Sequence, residues 1–186
     1  MRRVVFALFG LLLSVSGSPA FAQGLEPGDV TRFISAITEV EARAPAELSE
    51  WRARVIAADA EEDLLDEEGH VALYRRGYDD LATPEDQALL DSIFTASGFE
   101  IYEEWPAISD LIYAAYLKLQ AERGAFAMVS ALSEEQLAIV APDMINTVRQ
   151  LKIFFPAAEK IGPDDLAIVR PYLEELEIAM GDQFSQ

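Results

Sequence analysis

Cysteine is missing from all 186 residues, which excludes disulfide staples, thiol catalysis and thiolate metal sites. Histidine occurs once, at His70, so one chain cannot supply a two-imidazole centre. Basic residues are scarce: 14 Lys and Arg stand against 33 Asp and Glu, a net charge of −19. That sign repels nucleic acid and anionic lipid surfaces. It favours solubility, cations and basic partners. The apolar run Val4–Val15 is broken by Gly10 and Ser14 and falls short of the ~20 residues that a membrane span needs, so no stable membrane insertion is expected. There is no Gly-x-Ser-x-Gly elbow, glycine-rich phosphate loop or dinucleotide fingerprint. Long Gly/Ser linkers and repeats of fixed period are absent as well.

What is present begins with an address. Arg2 and Arg3 precede the apolar run, and Ala20-Phe21-Ala22 follows it, which is the layout of a secretory signal peptide. Residues 1–22 are expected to be removed, leaving a mature domain of residues 23–186 that starts at Gln23. No cysteine stands near the cleavage point for lipid attachment, so the expectation is a soluble protein in the periplasm of a Gram-negative bacterium. Loss of Arg2 and Arg3 leaves 12 basic residues against 33 acidic ones, a net charge of −21. An exported domain without disulfides must be held by packing alone. With 51% hydrophobic residues over the full sequence, the chain has enough apolar side chains for a core and is no disordered acidic tail.

Proline followed by acid recurs at Pro27-Gly28-Asp29, Pro45-Ala46-Glu47, Pro84-Glu85-Asp86, Pro142-Asp143 and Pro163-Asp164-Asp165. Proline costs nothing in a first helical turn, and acids there meet the positive end of the helix dipole. Each is therefore predicted to start a helix. Thr83 and Ser133 add side-chain caps, the latter in the capping-box spacing Ser133-Glu134-Glu135-Gln136. Gly98, Gly124, Gly162 and Gly181 are expected stops. Between them, Val30, Phe33, Ile34, Ile37 and Val40 share one helical face. Leu137, Val140, Ala141, Met144, Ile145, Val148 and Leu151 form a second stripe, and Leu166, Val169, Leu173, Leu176 and Met180 a third, with Pro171 bending or splitting that helix. The fold class predicted is all-α: a single compact domain of about six or seven helices, with 181–186 as a frayed tail.

Two stretches carry the functional expectations. In "DAEEDLLDEEGH", residues 59–70, a helix would place Asp59, Glu62, Asp63, Asp66 and His70 in one stripe. Such carboxylates can hold a divalent cation, the one cofactor the sequence suggests. Glu67-Glu68-Gly69-His70 also has the Glu-x-x-His spacing of di-iron bundles, which need two such pairs. The plainer expectation is a solvated helix face ended by Gly69, although Glu67 and Glu68 would then sit at the unfavourable, negative end of the helix dipole. In "GFEIYEEWPAISDLIYAAYLKLQ", residues 98–120, Ile108, Leu111, Ile112, Ala115 and Leu119 form an apolar stripe. Phe99, Tyr102, Trp105 and Tyr116 would border a groove for a partner protein, or else Phe99 and Trp105 staple two helices together.

The residues Gly98-Phe99, Glu104-Trp105, Asp110 and Ala114-Ala115-Tyr116 resemble a segment of small exported helical proteins of proteobacteria that have no assigned activity. That resemblance implies an exported helical protein and brings no catalytic residues. Leu132-Ser133-Glu134-Glu135-Gln136 is similar to the Leu-Thr-x-x-Gln motif of the Spy/CpxP-type periplasmic chaperones, with Ser in place of Thr, and implies a chaperone as an alternative. Acid–base chemistry is all the sequence leaves for catalysis, with Glu103 and Glu104 beside Trp105 as first candidates. A pair of acids can always be proposed among 33, so the expectation is a non-enzymatic binding protein. Its expected partner is another protein with a basic surface; divalent-cation binding is the alternative.

Overall fold

The computed structural model describes residues 24–43, 45–57, 64–100, 104–124, 133 and 142–181. Eight α-helical segments follow in order: α1 (Pro27–Arg43), α2 (Ser49–Ala57), α3 (Leu73–Asp79), α4 (Pro84–Ala96), α5 (Glu104–Glu122), α6 (Pro142–Ala158), α7 (Pro163–Val169) and α8 (Leu173–Gly181). A 3-10 turn, Arg170–Tyr172, carries Pro171 and joins α7 to α8. Counting that bent pair once gives seven helices among the described residues, which contain no strand. The chain is therefore all-α. No helix among the described residues is long and apolar enough to cross a membrane.

Four of the five proline–acid pairs open a helix, at Pro27, Pro84, Pro142 and Pro163. Pro45 does not. The amides of Ala46 and Glu47 both donate to the Arg43 carbonyl, at 3.0 and 2.9 Å, so this segment closes α1 and α2 waits until Ser49. Thr83 makes the expected cap as a full capping box, in which its hydroxyl accepts from the Asp86 amide and Asp86 answers the Thr83 amide. Gly98 (φ +99) and Gly124 (φ +76) end α4 and α5 in the left-handed region. Gly162 has φ −71 and precedes α7 as its N-cap, so it starts a helix where a stop was expected. The Ser133 capping box and the tail beyond Gly181 fall outside the described residues.

The predicted stripes set the packing. Val30, Phe33, Ile37 and Val40 of α1 are buried, and so are Leu166, Val169, Leu173, Leu176 and Met180 of α7 and α8. Of the α6 stripe, Val148 and Leu151 are buried, with Ile145 partly so; Leu137, Val140 and Ala141 lie outside the described residues. The middle of the fold is α5, on which α1, α3, α6, α7 and α8 all pack. Every residue from Trp105 to Leu117 is buried. A helix apolar on all sides belongs inside a core, and α5 goes beyond the single stripe expected for it. It also carries Ser109 and Asp110 into that core.

Candidate functional site

The acidic stretch is a turn where it is described. Residues 64–70 contain no helix. The Asp66 carboxylate captures the local backbone, Oδ1 accepting from the amides of Glu68 at 3.0 Å and His70 at 2.8 Å. An Asp side chain that takes nearby N–H groups competes with helix formation, and Gly69 at φ +73 completes the reversal. A single bridge between Leu65 and Val71 closes it. This corrects the helical reading of residues 64–70 and removes its anomaly: Glu67 and Glu68 are at no helix end. The Lys160 ammonium instead covers this turn, donating to the carbonyl oxygens of Glu68 and Gly69.

Of the five residues of the expected cation stripe, Asp66 and His70 lie together, while Asp59, Glu62 and Asp63 are outside the described residues. Glu68 joins them, with one ligand atom from each of Asp66, Glu68 and His70 within 4.8 Å of the others. Both Asp66 oxygens are already engaged. Oδ2 lies 3.2 Å from His70 Nδ1 and accepts from Arg75 Nη2 at 3.2 Å. Partial burial pushes the Asp66 carboxyl upward, but the His70 amide, Arg75 and the His70 ring together hold it below the usual carboxylate range.

Arg75 links this turn to the core. Its Nε donates to Asp110 Oδ2 at 3.0 Å, and the start of α3 is capped by the same carboxyl, through the Tyr74 amide at 2.7 Å and the Arg75 amide at 3.3 Å. Asp110 is 1% exposed. Burial pushes it up to about 7, against the pull of those amides and the guanidinium. No site was expected at Asp110 from the sequence. The signal available was a charged residue inside the apolar run of α5.

The aromatic rings expected to border a groove are interior. Phe99, Trp105 and Tyr116 are buried, and Tyr102 lies outside the described residues. Trp105 stacks on Phe94 with centroids 3.8 Å apart and meets the edge of Tyr78 at 5.1 Å. Its Nε1 donates to Asp91 Oδ1 at 3.3 Å, while Asp91 Oδ2 accepts from the Tyr78 hydroxyl at 2.9 Å. Arg32 lies over Phe99, 4.8 Å from its centroid. The surface groove thus gives way to the staple reading: large apolar rings with one polar atom are best buried when that atom finds a partner. Of the two candidate acids, Glu103 and the side chain of Glu104 are outside the described residues.

A pocket does open next to Trp105, on the side of α2. It has a volume of about 120 Å³, and Trp51, Tyr74, Phe94, Trp105 and Tyr113 give it five aromatic walls. Burial pushes the Tyr113 phenol well above its ordinary value, so it stays neutral. α2 packs on α3 at Gly77, beside Trp51 and Val55, and Trp51 Nε1 donates to the Gly77 carbonyl at 2.8 Å. At the pocket's edge Arg52 Nη1 donates to Glu41 Oε2 at 2.9 Å. Nothing in the sequence places Glu41, Trp51 and Arg52 beside Trp105, because the pocket is assembled from six helices. Compared with protein-family models, with curated proteins and with solved structures, the chain matches none.

Proposed function

We propose that the chain is a non-enzymatic periplasmic binding domain, exported by way of residues 1–22, which engages another protein through the pocket beside Trp105. The observation that carries this reading is the pocket's make-up: an aromatic floor with charge confined to its edge. Binding sites combine apolar walls with a few placed polar groups, and anchor residues of protein partners fill such pockets. Glu41, the one acid among the described lining residues, is paired with Arg52 at 2.9 Å. The net charge of −19 favours a basic partner. The test is co-purification with the wild-type chain and with Leu73→Phe, which puts a ring into the pocket from a half-buried position. A partner retained by the first and lost by the second, at equal helicity, supports the reading. The same partners on both would sink it.

Divalent-cation binding is the second reading, favoured by the convergence of Asp66, Glu68 and His70. It ranks lower because the Asp66 oxygens already accept from two amides and Arg75. For a chaperone role, the Leu132–Gln136 motif is outside the described residues except for Ser133, and no observation favours it.

A further inference from the structure

The shape and charge of the pocket narrow what enters it, resting on the reading just proposed. Its floor reaches the centre of the fold, where Leu90, Phe94, Trp105 and Tyr113 are at most 2% exposed. Its mouth is formed by α2 and the start of α3, where Trp51, Arg52, Val55 and Leu73 are half-buried. The volume of about 120 Å³ is close to the roughly 150 Å³ of an apolar cavity that accepts benzene. One ring fits, with the atoms that carry it left at the mouth. There the Arg52 and Glu41 side chains are 22% and 18% exposed and joined at 2.9 Å.

Water reaches this pair at its partly exposed edge, so a cation arriving with the ring competes with Arg52 for Glu41. The field of a chain with net charge −19 draws a cation to this mouth in preference to an anion. We infer that the occupant is a single aromatic side chain of a partner protein flanked by Lys or Arg, with its ring on the floor formed by Phe94 and Trp105 and its flanking cation on Glu41.

The chain has two tryptophans, Trp51 and Trp105, and both line the pocket, so intrinsic emission reports occupancy. The probes are four: the blocked peptides Gly-Lys-Phe-Lys-Gly, Gly-Lys-Ala-Lys-Gly and Gly-Glu-Phe-Glu-Gly, and toluene as a free ring. In ~0.15 M salt, where long-range attraction is largely screened, the Lys-Phe-Lys peptide is expected to give a saturable change. The Ala and Glu peptides should bind at least about tenfold more weakly, and Glu41→Gln should weaken the Lys-Phe-Lys peptide by about tenfold.

Equal binding of the Phe and Ala peptides would overturn the inference, since it would mean unspecific attraction to an acidic chain. Equal binding of the Lys- and Glu-flanked peptides would overturn the role of Glu41. Toluene binding as tightly as the peptide would point to a small free molecule and overturn the protein anchor. No emission change with any probe would overturn the occupant, while the Leu73→Phe comparison would still decide separately whether the pocket binds a partner.

Discussion

A carboxyl that accepts two amide N–H groups and a guanidinium ought to ionise easily, yet burial in α5 pushes Asp110 up to about 7. Two opposed effects meet at this atom pair, and desolvation is the larger. In the unfolded chain the same group titrates near 3.8. Between those values the folded state binds more protons than the unfolded one, so this contribution to stability decreases as pH rises. It is whole below about 3.8 and gone above about 7. Asp66 and Asp86 have the opposite sign. Both are held below the ordinary carboxylate value, so their contributions are present above it and lost as pH falls below it. They are therefore quiet over the window in which Asp110 titrates. Asp110→Asn, which keeps an acceptor for the Tyr74 amide, is expected to flatten the dependence of the urea midpoint on pH across that window. An unchanged slope would assign the titration to another group. Asp110 could have been noticed in the sequence as the acid within an apolar helix, but its partner could not. Arg75 is 35 residues away, and only the crossing of α3 over α5 brings them together.

At the scale of elements, Trp105 joins three helices. From α5 it stacks on Phe94 of α4, meets Tyr78 of α3 and reaches Asp91. Truncation of a buried aromatic removes its transfer energy and leaves a void that the neighbours fill only in part. Trp105→Ala is accordingly expected to destabilise the fold by about 3–5 kcal/mol, read as a lowered urea midpoint with loss of the near-ultraviolet dichroism of the aromatic cluster. Unchanged stability would mean that the ring is dispensable to the packing. Helix starts were the most legible elements, because proline and acid act locally through a missing N–H and the helix dipole. The buried faces of α1, α7 and α8 were legible for the same reason, as periodicity is a property of the segment alone. Pro45 and residues 64–70 were misread where a local hydrogen bond competes with the helix: the Arg43 carbonyl in one case, the Asp66 side chain in the other. The two readings of the aromatic corner could not be separated by spacing, since a ring facing a groove and a ring facing a core have the same periodicity.

Across the whole molecule, a net charge of −19 makes every cation stabilising to some degree by screening self-repulsion, so the question for the acidic turn is whether one cation does more. A metal ion at Asp66, Glu68 and His70 would have to compete with Arg75 for Asp66 Oδ2. Arg75 also compensates the buried Asp110 through Nε at 3.0 Å. The Nε contact holds the guanidinium in place beside Asp66, so the metal must displace an Nη2 that is already anchored. Lys160 already supplies positive charge to the Glu68 and Gly69 carbonyls. Thermal melts of residues 23–186 with chelator, and then with calcium, manganese or zinc at matched ionic strength, are expected to show small and equal shifts. A ligand that binds only the folded state raises its stability in proportion to the logarithm of its concentration over Kd. A large shift at micromolar concentration for one metal alone would therefore establish a specific site. It would also require Arg75 Nη2 to give up Asp66 Oδ2.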